Sequence, residues 1–140
     1  ICIGPKKATH ENIKKTKEFG INLTSTDQSV LSSVAGSYSG KNIDKIKALK
    51  ELGFEFYKAN KINTLMVTDA VLTIECKLVK EINIGDHTIF IGEVLDITFN
   101  KNKEPLAYHK GKYWIMNKNV EKPSEEQHDS IKKIVEKYKK

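Results

Sequence analysis

Residues 72–99 read LTIECKLVKEINIGDHTIFIGEVLDITF, and their periodicity decides the class of the fold. Leu72, Ile74, Cys76 and Leu78 alternate with Thr73, Glu75 and Lys77, the period of two that belongs to a strand with one wet face. The run from Thr88 to Phe99 carries apolar residues on both faces: Ile89, Ile91, Leu95 and Ile97 on one, Phe90, Gly92 and Val94 on the other. Such a strand is expected to be covered on both sides, by a barrel interior and by a helix, a cofactor or a second subunit. Between the two runs stands Gly85-Asp86-His87, a carboxylate and an imidazole at the mouth of the apolar strand. A turn with a surface histidine accounts for them, and so does a chemical group held at the rim of a pocket.

C-terminal to this stretch, NKNKEP reads as a turn and PLAYHKGKYWIM as a hairpin around Lys110-Gly111. Pro123 precedes a last helix in which Ser124 and Gln127 form a capping-box pattern and Ile131, Ile134, Val135 and Tyr138 make the apolar stripe. N-terminal to it, the strand Ile1 to Ile3 is broken by Gly4-Pro5, and Thr9 is the expected N-cap of a helix from His10 to Phe19 that Gly20 stops. INLTS reads as a short strand and DQSVLSSVAGSYSG as a small-residue helix starting at Asp27. NIDKIKALKELG sets Ile43, Ile46, Leu49 and Leu52 on one side of a helix ending at Gly53. Together these predict an α+β fold in which antiparallel strands close into a barrel with helices packed outside. No repeat or linker divides the chain, so residues 1–140 are expected to form a single domain.

Composition narrows the function classes. No segment has the roughly 18 to 20 consecutive apolar residues of a membrane helix, and no secretory signal opens the chain, which predicts a soluble cytoplasmic protein. Cys2 and Cys76 lack metal or redox spacing and are expected to be small core hydrophobes. The net charge is +6, yet all 24 basic residues are lysine. Without arginine the bidentate fork that reads guanine edges is missing, which disfavours nucleic acid while leaving a small anionic ligand compatible. No GxGxxG or P-loop signals a nucleotide fold, and no HExxH or paired histidines signal a metal. The chain begins inside a strand-like triplet without a methionine, so further residues are expected before Ile1.

Three short stretches could carry chemistry. ATHENI sets Thr9 and free backbone amides beside Lys6 and Lys7, an anion site if it is more than a helix cap. SGKNIDKI brings Ser39, Lys41 and Lys45 to the start of another helix. YHKGKYW gathers aromatics and His109 around a turn.

Taken in order, IGPKKATHENIKKTKEFGINL, SGKNIDKI, LTIECKL, GDHTIFIGEVL and PLAYHKGKYW resemble the flavin reductase-like family of FMN-binding split barrels, over nearly the whole chain to Trp114. The family includes NAD(P)H:flavin oxidoreductase components of two-component monooxygenases, and flavoredoxins. The resemblance implies a homodimer of six-stranded split β-barrels with peripheral helices, with FMN near the dimer interface and NADH or NADPH as electron donor. It matches Thr9 to the hydroxyl residue at the flavin phosphate and Lys45 to the lysine of an Asp-Lys pair near the cofactor. Ser39 belongs to the same cofactor-binding stretch. His87 matches the histidine beside the flavin that is implicated in nicotinamide binding, and is the candidate catalytic residue. Tyr113 or Trp114 is matched to the ring system, and Asp86 is placed to fix the His87 tautomer. A monooxygenase or another electron acceptor would be the partner. Two departures stand out: the first barrel strands of the family are expected from residues before Ile1, and lysine replaces arginine at Lys7 and Lys112. Two other readings fit the residues: an FMN-binding electron carrier of the flavoredoxin type, and a basic β-barrel that stacks nucleic-acid bases on Tyr113 and Trp114.

Overall fold

In the computed structural model, which describes residues 1–116 and 123–136, the residue 72–99 stretch forms the two long strands of a single hairpin. In chain order the elements are β1 (Cys2–Ile3), α1 (Ala8–Thr16), β2 (Glu18–Leu23), a 3-10 turn (Thr26–Gln28), α2 (Ser29–Ser37), α3 (Lys45–Glu51), β3 (Phe56–Lys58), β4 (Leu65–Val67), β5 (Leu72–Ile84), β6 (His87–Phe99), β7 (Leu106–His109), β8 (Lys112–Ile115) and α4 (Glu125–Glu136). The main sheet runs β1-β6-β5-β2, all antiparallel, and β3-β4 and β7-β8 are separate hairpins. Gly85 and Asp86 are the two turn residues between Ile84 and His87, and Gly85 takes a φ of 55° that a side chain would resist.

The expected six-stranded closed barrel is not what forms. Among the described residues β1 is only two residues long and pairs with β6 at Thr88 and Ile89 alone, so nothing carries the ladder from the outer edge of β6 round to β2. The far half of β6 is also uncovered on the face it shares with Ile74 and Cys76: Thr88 and Phe90 are buried, whereas Val94, Ile97 and Phe99 are 52–60% exposed. The opposite correction applies to β5. Thr73 and Glu75, expected on a wet face, are buried beneath the β3-β4 hairpin. Tyr57 Oη meets Thr73 Oγ1 at 3.0 Å, and the Glu75 carboxylate accepts the amides of Asn60 at 2.9 Å and Lys61 at 2.6 Å. Loop amides thus supply the partners that a buried carboxylate needs.

The core that positions the site lies where α1 crosses the other face of the sheet, with Ile13, Phe19, Cys76 and Phe90 in one buried cluster. Burying a ring such as Phe90 contributes about 3 kcal/mol. Helix α1 starts earlier than its sequence suggested, because Lys7 rather than Thr9 is the N-cap, and it makes no side-chain cap bond. It also ends earlier, as Lys17 turns left-handed at φ 60° and sends Glu18 and Phe19 into β2. Gly20 is therefore a strand residue and not a helix stop. The second cluster, Leu31, Leu49, Val67 and Ala70, joins α2, α3 and β4. Ile43 and Leu52 fall outside α3 and are exposed, and so is Cys2 on the edge strand. The capping box at Ser124 and Gln127 forms as expected, Ile131 and Ile134 are exposed on α4, and Tyr138 lies outside the described residues.

Candidate functional site

A groove of about 1320 Å³ runs between the start of α1 and the segment joining α2 to α3. It exceeds the roughly 300–1,000 Å³ of ordinary small-molecule pockets. Leu31, Leu49, Phe56 and Val67 give it an apolar floor, and Lys6, Lys7, Lys41 and Lys45 stand among its lining residues with the hydroxyls of Thr9 and Ser39. No side chain caps the start of α1; the His10 amide donates to the Lys7 carbonyl at 3.1 Å, and the amides of Ala8 and Thr9 stand at the positive end of the helix dipole, next in sequence to Lys6 and Lys7. Thr9, released from the capping role, is exposed and lines this end. Apolar floor and lysine-bearing rim together suit a ligand with an apolar portion and an anionic one.

Three of the expected residues therefore converge, though two also carry structural duties. Lys45 Nζ donates to the Ala35 carbonyl at 2.6 Å, satisfying one of the free carbonyls at the end of α2. Ser39 Oγ accepts the Lys41 amide at 3.2 Å and its carbonyl takes the amides of Asn42 and Ile43 at 3.1 Å, which shapes the loop. Gly40 brings this loop against α1, where a Cβ would lie 3.4 Å from the Ala8 methyl. Asp44 caps α3 through the Lys47 amide at 3.1 Å, and that hydrogen bond holds its carboxyl below the usual range.

His87 is not part of the groove wall but stands beside it. Its Nε2 is 3.7 Å from where a Cβ on Gly4 would be, so the imidazole lies over the β1-α1 turn that carries Lys6 and Lys7. The Asp86 carboxylate meets His87 Nδ1 at 2.8 Å. Asp86 belongs to the turn and not to the strand, which is why adjacent residues can face each other here. A carboxylate only accepts, so Nδ1 is the donor in this pair. The same hydrogen bond, aided by the charge of the imidazole, pulls the Asp86 carboxyl below its ordinary range.

The sequence did not single out His10. Its Nε2 meets the buried Thr88 Oγ1 at 2.9 Å, Thr88 donates to Asn83 Oδ1 at 2.8 Å, and the ring packs edge-on to Phe90 with centroids 5.1 Å apart. This network ties α1 to both strands of the hairpin that presents His87. Trp114, by contrast, is not among the groove residues: it sits on β8, half exposed, with Nε1 donating to the His109 carbonyl at 3.1 Å. Tyr113 lies instead in a separate cleft beside α2.

Comparison with known proteins bears on the family of the chain. Residues 1–116 match the family described as flavin reductase like domain. The chain is 32% identical over 101 residues to an uncharacterised protein of Pyrococcus abyssi, covering 72% of this chain and 56% of that protein. It is 30% identical to a ferric-chelate reductase (NAD(P)H) of Archaeoglobus fulgidus, over 84% of this chain and 66% of the relative. The chain thus spans little more than half to two thirds of these relatives' lengths. Among solved structures, flavin reductase PheA2 in its native state superimposes with a TM-score of 0.68 at 32% identity, over 84% of this chain and 69% of that one. With the match of the family model extending from Ile1 to Met116, the chain belongs to the flavin reductase-like family.

Proposed function

We propose that the protein is an NAD(P)H:flavin oxidoreductase that holds FMN in the groove and acts as a homodimer. The observation that carries this reading is a groove with an apolar floor and a helix start without a side-chain cap next to Lys6 and Lys7, and beside it an imidazole against Gly4 of the adjoining turn. Bound flavin would supply the hydride-accepting chemistry. The protein's own residues bind and orient. Lys6, Lys7 and the α1 amides neutralise the phosphate, with the Thr9 hydroxyl as a further partner. Leu31, Phe56 and Val67 exclude water from the ring side of the groove. His87, its Nδ1 paired with Asp86, offers Nε2 to the nicotinamide carboxamide or to the edge of the ring system. Stacking two rings at the right distance supplies most of what a hydride transfer needs from a protein, so no covalent nucleophile is required.

The exposed apolar residues of β6, Val94, Ile97 and Phe99, support the dimer reading, since a patch of this kind marks an association surface. Reduced flavin would pass its electrons to a monooxygenase or another acceptor. Purified protein should be yellow or take up FMN at micromolar concentration, and should oxidise NADH or NADPH when free flavin is added. Protein that binds FMN yet stays oxidised with both nucleotides would be an electron carrier, and protein that takes up no FMN would end the reading.

A further inference from the structure

A second cleft, of about 420 Å³, opens between α2 and the β7-β8 hairpin. Tyr108 and Tyr113, cross-strand partners near the hairpin tip, form one wall, with ring centroids 5.3 Å apart and planes tilted by 58°. Tyr108 is 68% exposed, more than a ring serving only the core would be. Serines of α2 form the opposite wall. Ser32 is already engaged with Thr24 Oγ1 at 2.9 Å, which leaves Ser33 and Ser37 as the hydroxyls for a ligand. No lysine, aspartate or glutamate lines the cleft, whereas four lysines line the groove.

The two cavities meet at Gly36 and Ser37, which line both. A Cβ added to Gly36 would meet nothing within 4 Å, so the ridge between them is bare helix backbone with open space above it. A ligand crossing that ridge would have an anionic portion over the lysines and a neutral, planar, hydrogen-bonding end among the tyrosines and serines.

We infer that the second cleft receives the adenosine end of a dinucleotide whose other half lies in the groove. Adenine is flat and uncharged, every base has a face that stacks on tyrosine, and the base edge and ribose hydroxyls match Ser33 and Ser37. Both FAD and NAD(P)H carry this moiety, and FMN and reduced nicotinamide mononucleotide lack it. The inference rests on the flavin reading only for what fills the groove.

Titration of the full chain with 5′-AMP, followed by NMR, tests the cleft directly. Shifts at Tyr108 and Tyr113 are expected, with affinity falling roughly tenfold in Tyr108→Ala, the usual consequence of losing one stacking ring. The source is then read from two ratios, the affinity for FAD over that for FMN, and the KM for NADH over that for reduced nicotinamide mononucleotide. They are measured in Tyr108→Ala and in Ser33→Trp, which fills the cleft from an exposed helix position. A tenfold fall in the first ratio assigns the cleft to FAD, and a tenfold rise in the second assigns it to the nicotinamide nucleotide. Absent AMP shifts at the tyrosines, together with both ratios unmoved in both variants, overturn the inference. AMP binding at the tyrosines without flavin uptake would uphold the cleft and end the flavin reading instead.

Discussion

His87 combines a half-exposed side chain with a carboxylate partner in Asp86, and this sets what its removal should do. His87→Ala gives up little packing, so its melting temperature should stay within about 2 °C of the parent. NADH oxidation should fall roughly a hundredfold, the lower range for removing a positioned proton-bearing group. Steady-state kinetics alongside thermal melts separate the two, and a parallel loss of folding and activity would return the histidine to a surface role. The Gly-Asp-His motif and the lysine turn were legible in sequence because each is contiguous. His10 was not, since its partner Thr88 lies 78 residues away and nothing local marks the pair. Lys45 was legible as a residue but not in its role, because only the folded chain brings Ala35 under its ammonium.

At the scale of elements, two glycines separate rigid from yielding contacts. A Cβ on Gly92 of β6 would lie 2.6 Å from Phe19 Cζ and 2.9 Å from Cys76 Cβ, inside the main core cluster. Gly92→Ala should therefore lower stability by about 2 kcal/mol in urea unfolding, as overpacked cores do. At Gly20 of β2 the clash falls on the Met66 thioether, which can turn aside, so Gly20→Ala should be the milder change. The loop after β6 is clamped to the 3-10 turn by Asp27, which takes Lys103 Nζ at 2.6 Å and Ser25 Oγ at 2.5 Å. The hydrogen bond from Lys103, then that from Ser25, holds the Asp27 carboxyl below its ordinary range. A depressed folded value means stability that is present above the ordinary carboxylate range and lost as pH falls through the folded value. Asp27→Asn should thus melt slightly below the parent at neutral pH, by well under about 1 kcal/mol for so exposed a pair, and the gap should close in acid. Periodicity located β5, β6 and the β7-β8 hairpin, because alternation survives in a single strand. It missed β3 and β4, three residues each, and so missed the cover that turns Thr73 and Glu75 inward.

For the molecule as a whole, the family's fold was legible through the order of its motifs, whereas barrel closure was not, because closure depends on strands that meet the outer edge of β6. The exposed apolar face of β6 predicts self-association: sedimentation should give a dimer, and Ile97→Lys should shift it toward monomer. A rim carrying four lysines predicts that FMN affinity weakens with added salt, since exposed point charges are screened. The central claim, a flavin held in the groove and reduced through the His87 side, is tested most directly by anaerobic spectrophotometry. FMN is titrated into the protein and NADH, then NADPH, is added. Saturable uptake followed by bleaching of the oxidised flavin band, slowed in His87→Ala, is the predicted result. Absence of uptake, or bleaching equally fast without His87, would contradict it.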